Sequence, residues 1–141
     1  MVRGDTKKLN PNSFIAAPNE VNLFLSDIKH ILSSDQCELD ILPRKKGENP
    51  LDPYTTENTL QDLGYDTDDV KNELLLLTEK DYIETILDNK DSNKPPFWAF
   101  GKIVKNKDVY IKVKIRNKIT NKLFCVSFHY PRYPLKSGPY V

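Results

Sequence analysis

The chain has 141 residues, 38% of them hydrophobic, which suits a single domain with one modest core. No stretch approaches the roughly 20 apolar residues of a spanning helix, so a membrane protein is excluded. The formal net charge of +1 conceals a split: residues 1–93 carry 10 basic and 19 acidic side chains, a net of −9, whereas residues 94–141 carry 11 and one, a net of +10. Such asymmetry has two readings, an anionic partner for the basic half or attraction between the halves within one fold. Cys37 and Cys125 are too few for a disulfide framework. The opening MVRGDTKKLNPNSF has no apolar stretch of the secretory kind, so a reduced, cytoplasmic protein is expected.

Residues 1–18, with Pro11, Pro18 and no periodicity, read as a poorly ordered lead-in, leaving 19–141 as the domain. Val21, Phe24, Leu25, Ile28 and Leu32 recur at helical spacing and predict a helix over 20–33, with Asn19 as its N-cap. Cys37–Leu42 alternates weakly and suggests a short strand. It runs into the loop Pro43-Arg44-Lys45-Lys46-Gly47, the only basic cluster in the acidic half. Thr55 or Thr56 caps a short helix ending near Gly64, where a left-handed residue belongs. Thr67-Asp68-Asp69 opens a second short helix, its acids favoured by the helix dipole. Tyr82, Ile83, Ile86 and Leu87 predict a third over 79–88, so that helices occupy 20–88.

Past Pro95-Pro96 the period changes to alternation. Phe97–Val104, Val109–Arg116 and Lys122–His129 are strand candidates, joined by links short enough for hairpins. Helices first and strands last is an α+β signature: N-terminal helices packed on one face of a C-terminal antiparallel sheet spanning 97–130.

Successive strand side chains point to opposite faces. Val109, Ile111, Val113 and Ile115 therefore form a core surface, while Tyr110, Lys112, Lys114 and Arg116 form a cationic stripe with ~6.6 Å between alternate residues. A basic face interleaved with aromatics suits single-stranded nucleic acid, although a solvated sheet face has the same composition. If Phe124, Val126 and Phe128 pack on the helices, Ser127 and His129 share the outer face with Tyr110 and Lys112. His129 would then be an imidazole titrating near neutrality on a positive surface, able to move protons. Lys102 and Trp98 are candidates to border that face, with Trp98 also a core candidate. Cys125 and His129 are ~13 Å apart along a strand, too far to share a metal. His30 and Cys37 read as packing residues, and Asp68 and Asp69 as capping residues, so no metal site or cofactor is expected.

The segments Phe97-Trp98-Ala99-Phe100-Gly101-Lys102, Val109-Tyr110-Ile111-Lys112-Val113-Lys114-Ile115 and Cys125-Val126-Ser127-Phe128-His129 resemble the MqsR-like toxins of bacterial type II toxin–antitoxin systems. Leu76-Leu77-Thr78-Glu79-Lys80-Asp81-Tyr82 resembles the helix that precedes their sheet, and the likeness spans roughly residues 55–130 and, more loosely, the helix from Glu20. The resemblance implies a RelE-like fold and a metal-independent messenger-RNA endonuclease held inactive by a cognate antitoxin, with no DNA binding by the toxin alone. It also implies that Tyr110 is the family's catalytic tyrosine, that Lys112 is the lysine two residues on, and that His129 stands where the best-known member has a catalytic lysine. Lys114, Lys102, Arg116 and Trp98 would then contact RNA. Glu84 and Ala99 occupy positions where that member has a functional lysine and a glutamine. A rival expectation from another class is a non-catalytic protein whose basic face docks RNA or an acidic protein.

Overall fold

The computed structural model describes residues 12–91 and 93–141. The chain runs β1 (Ser13–Phe14), α1 (Pro18–Leu32), β2 (Glu38–Ile41), α2 (Thr56–Leu63), α3 (Thr67–Leu75), a 3-10 turn (Glu79–Asp81), β3 (Tyr82–Ile86), β4 (Phe97–Val104), β5 (Lys107–Asn117) and β6 (Lys122–His129). It is an α+β protein. One six-stranded sheet has the order β1-β3-β4-β5-β6-β2. The neighbours from β1 through β6 are antiparallel, while β2 lies parallel to β6, so the sheet is mixed rather than purely antiparallel.

The meander β4-β5-β6 follows the alternation. Lys105 and Asn106, with φ of 50° and 67°, make the two-residue turn of the first hairpin, the conformation whose twist matches that of its strands. Thr55 caps α2 by accepting from the Asn58 backbone, and Gly64 closes it with φ 69°. Asp66 and Asp69 cap α3 reciprocally, each side chain accepting from the other's backbone N–H. The first helix begins earlier than Asn19 suggested. Pro18 sits in its first turn, where a missing N–H costs nothing, and Glu20 Oε1 accepts from the Ala17 N–H at 2.9 Å.

Two further expectations fail. Residues 79–88 are not a helix: after the 3-10 turn, Tyr82–Ile86 is a strand between β1 and β4. This strand is buried on both faces. Tyr82 joins the main core beneath α1, whereas Ile83 and Ile86 join a smaller cluster with Ala99, Phe97, Tyr110 and Leu135 on the opposite face. A doubly buried strand reads as a continuous apolar run without alternation, and here that run imitates helical spacing. The lead-in is also partly ordered. Residues 1–11 lie outside the described residues, but Ser13–Phe14 pairs with β3, and the Ala16 N–H donates to Tyr82 Oη at 2.9 Å.

The main core lies between α1, α3 and one face of the sheet. Val21, Ile28, Val70 and Leu74 from the helices meet Phe100, Val109, Ile111, Val113 and Phe128. Beyond β2, the edge of β6 is covered by α2. Thr56 and Thr59 accept from the Phe128 and Tyr130 backbone N–H groups, each at 3.0 Å. Buried hydroxyls thus satisfy donors that another strand would otherwise take. Among the described residues no helix is long and apolar enough to cross a membrane.

Candidate functional site

The outer face of β5 carries Tyr110, Lys112, Lys114 and Arg116, as alternation requires. β6 brings His129 opposite Tyr110 and Ser127 opposite Lys112. The next partner of β5 is Cys125 opposite Val113, so β6 has one residue more than β5 at Val126. This bulge reverses the faces of the first half of β6. Phe128 is in the core, but so are Leu123 and Cys125, while Phe124 and Val126 face outward. Phe124, Val126 and Phe128 therefore do not share a face. His129 and Ser127 nevertheless reach the outer side.

The Tyr110 and His129 rings are 5.6 Å apart. His129 Nδ1 lies 3.0 Å from the Tyr130 carbonyl, which can only accept, so Nδ1 carries the hydrogen and Nε2 keeps its lone pair. Burial pushes the imidazole pKa below its ordinary value, and the Lys45 charge pushes the same way. The ring is thus a neutral proton acceptor at pH 7. Burial, with a smaller contribution from Glu84, pushes the Tyr110 phenol up to about 12. It stays protonated and can donate. The Lys112 ammonium is shifted below the usual lysine range, first by burial and then by repulsion from Lys45.

Beside this trio the outer face forms a groove of about 820 Å³, lined by Lys45, Lys46, Lys90, Lys94, Lys112, Lys114 and Arg116 against one carboxylate, Asp88. Phe97 and Phe124 are its aromatic floor. Two of the cations are occupied. Lys114 pairs with Asp88 at 3.0 Å with both side chains nearly buried, and Arg116 pairs with Asp40 at 2.8 Å. Lys114 also sits over Phe97 at 4.5 Å, and Arg116 over Phe124 at 3.9 Å. Lys112 lies 5.0 Å from the Phe97 ring centre and has no ion-pair partner among the described residues. Seven of the eight ion pairs among the described residues join the acidic part of the chain to the basic part. Internal attraction therefore accounts for much of the charge split, and the groove holds positive charge that it leaves over.

Two expected site residues are elsewhere. Trp98 and Lys102 alternate with Phe97, Ala99 and Gly101 and so point to the helix side. Trp98 stacks on Phe24 at 4.5 Å, and Lys102 pairs with Glu73 of α3 at 2.8 Å. Conversely, the sequence did not assign Lys45, Lys46, Phe97 or Phe124 to the site. The basic loop at 43–47 was visible, but only its tertiary anchor, the Leu42 N–H donating to the Cys125 carbonyl at 3.0 Å, brings it over the sheet. Cys125 faces the core, away from the His129 side, and among the described residues no three His, Cys, Asp or Glu side chains gather where they could hold a metal ion.

No curated protein matches the chain. A family model described as "Motility quorum-sensing regulator, toxin of MqsA" matches residues 36–130, well over half of the chain and including β2 through β6 with Tyr110, Lys112 and His129. The chain belongs to the MqsR toxin family.

Proposed function

We propose that this protein is the toxin of a bacterial type II toxin–antitoxin system, a cytoplasmic, metal-independent endoribonuclease of RelE-like fold that cleaves messenger RNA and is restrained by a cognate antitoxin. The observation that carries this reading is the neutral His129 beside protonated Tyr110, next to Lys112, which has no ion-pair partner among the described residues and lines the basic groove. Cleavage by the ribose 2′-OH needs a proton acceptor, a proton donor and cations on the developing phosphorane charge. His129 Nε2 takes the 2′-OH proton. The 2′-oxygen attacks phosphorus, the bond from phosphorus to the 5′-oxygen breaks, and that oxygen leaves with a proton. The products are a 2′,3′-cyclic phosphate and a 5′-OH. Tyr110 orients the phosphate or supplies the leaving-group proton, which its high pKa suits. Lys112 neutralises the phosphorane oxygens. Lys114 and Arg116 hold flanking phosphates to the extent that these displace Asp88 and Asp40. Lys102 and Trp98 have no part in this mechanism, because both are committed to the helix side.

The test is RNA cleavage by the purified protein in EDTA, with His129→Ala and Tyr110→Phe alongside. Cyclic-phosphate ends from the wild type, with a rate ~10²–10⁴ lower for His129→Ala, are expected. Intact RNA with folded protein would overturn the enzymatic reading and leave the basic face as a docking surface for RNA or an acidic protein.

A further inference from the structure

We infer that Lys45, on the loop between β2 and α2, forms a second wall of the site and is a phosphate-binding residue that acts on the same phosphodiester as Lys112. The inference rests on the ribonuclease reading for the identity of the phosphate, but the placement of the loop stands without it.

The loop is built to hold this lysine over the sheet. Its start is pinned to β6 through Leu42 and Cys125, and the next residue ties it to α2, where the Glu57 N–H donates to the Pro43 carbonyl at 2.8 Å and so draws the two ends of the loop together. Between these anchors Glu48 folds back. Its Oε1 accepts from the Lys45 N–H at 2.6 Å, while the Glu48 N–H donates to the Lys45 carbonyl at 3.1 Å. The reciprocal pair fixes the backbone at Lys45 and turns Gly47 through φ 88°, a conformation that glycine adopts without strain. Lys45 is consequently partly buried and lines the groove beside Lys112, Lys114 and Val126. No carboxylate among the described residues forms an ion pair with it.

Two partly buried ammonium groups that face one groove and repel each other are a cost to the empty protein, and an anion placed between them relieves it. A phosphodiester oxygen has the charge and acceptor capacity to do so. The arrangement also acts on His129. The charged groups around that ring are Lys45 and Glu48 from the loop and Asp52 farther along it, with the Tyr110 phenol on β5. Asp52 is itself held by Arg132. Burial is the main reason that the imidazole stays neutral, and of these groups Lys45 alone adds to it, opposing Glu48 and Asp52.

The test follows the His129 imidazole by NMR titration of the full chain as wild type, Lys45→Met, Lys45→Arg and Arg44→Met. Binding of an uncleavable 2′-O-methyl oligoribonucleotide is measured over a range of salt for each. Lys45→Met should raise the His129 pKa toward the ordinary histidine value. It should also weaken the oligonucleotide about tenfold, as expected for one lost charge-assisted contact. The slope of log affinity against log salt should fall by about 0.7, the value for one phosphate on a single strand. Lys45→Arg should restore both binding readouts, and Arg44→Met, on the same loop but turned to Glu57, should move neither. A folded Lys45→Met protein with an unmoved imidazole and an unmoved slope would overturn the inference, even if RNA is cleaved. RNA left intact by wild type while the Lys45 effects persist would remove the ribonuclease reading and retain the phosphate site.

Discussion

Along β5 the same residue types occupy one face, yet its two ends differ. At the Tyr110–Lys112 end the side chains meet His129 and Ser127, and Lys112 has no ion-pair partner among the described residues. At the Lys114–Arg116 end each cation is held by a carboxylate from the acidic part of the chain and stands over an aromatic ring. Lysines two residues apart on one strand thus have different work. Lys112 is available to a ligand, whereas Lys114 locks the link after β3 onto the sheet through Asp88. A basic stripe is informative about binding only once its internal partners have been subtracted.

This contrast can be broken by substitution. The largest effect is expected for Lys112→Met, which under the proposed mechanism lowers the cleavage rate ~10²–10³-fold, the range for loss of one preorganised charge-stabilising donor, with little change in urea midpoint. Lys114→Met should do the reverse. It removes a charged hydrogen bond from a nearly buried pair, at a cost of about 1.5–3 kcal/mol of stability in urea denaturation, while most of the rate survives in the folded fraction. If both variants lose rate alike at unchanged stability, the division between the two ends is wrong.

The pH dependence sharpens the same comparison. The folded-state pKa of His129 is depressed, so the fold favours the neutral ring. Its contribution to stability is complete above the unfolded value of about 6.5 and is lost as pH falls from there through the folded pKa. Wild type should therefore lose more stability than His129→Gln in that window. The acid limb of the pH–rate profile should fall below pH ~6.5 as well. The smallest effect belongs to Arg116→Met, whose exposed pair with Asp40 is worth at most about 1 kcal/mol. A midpoint shift within that bound, with a slightly shallower salt dependence of RNA binding, is expected.

Local chemistry made much of this molecule readable in advance. The Thr55 cap, the Gly64 stop and the β4-β5-β6 meander each follow from residues within a few positions of one another. Failures occurred where distant contacts decide. β3 reads as a helix because Leu135 and its neighbours bury the face that alternation would leave polar. The reversal of faces in β6 comes from a single extra residue at Val126, which no pattern in that apolar strand marks. In the candidate site, the common face of Tyr110, Lys112 and His129 was legible because they lie on adjacent strands. Lys45 was not, since its place depends on a loop anchored to β6 some 80 residues on. Lys102 and Trp98 show the opposite error, since strand parity sends them to the helix side.

The two threonine hydroxyls of α2 that seat the end of β6 have a kinetic consequence. Phe128 and Tyr130, on either side of His129, are bonded to residues 72 and 71 positions earlier, and β2 joins β6 across a separation of the same order. Closing loops of that length is slow compared with forming a helix or a hairpin. The β4-β5-β6 meander and the helices should therefore assemble early, and the docking of α2 and β2 against β6 late. The β5–β6 hairpin sets His129 opposite Tyr110 in the first stage, whereas the loop that carries Lys45 reaches the groove only in the last. The groove therefore lacks its Lys45 wall until the fold closes around it, and completing that wall is among the final steps of assembly.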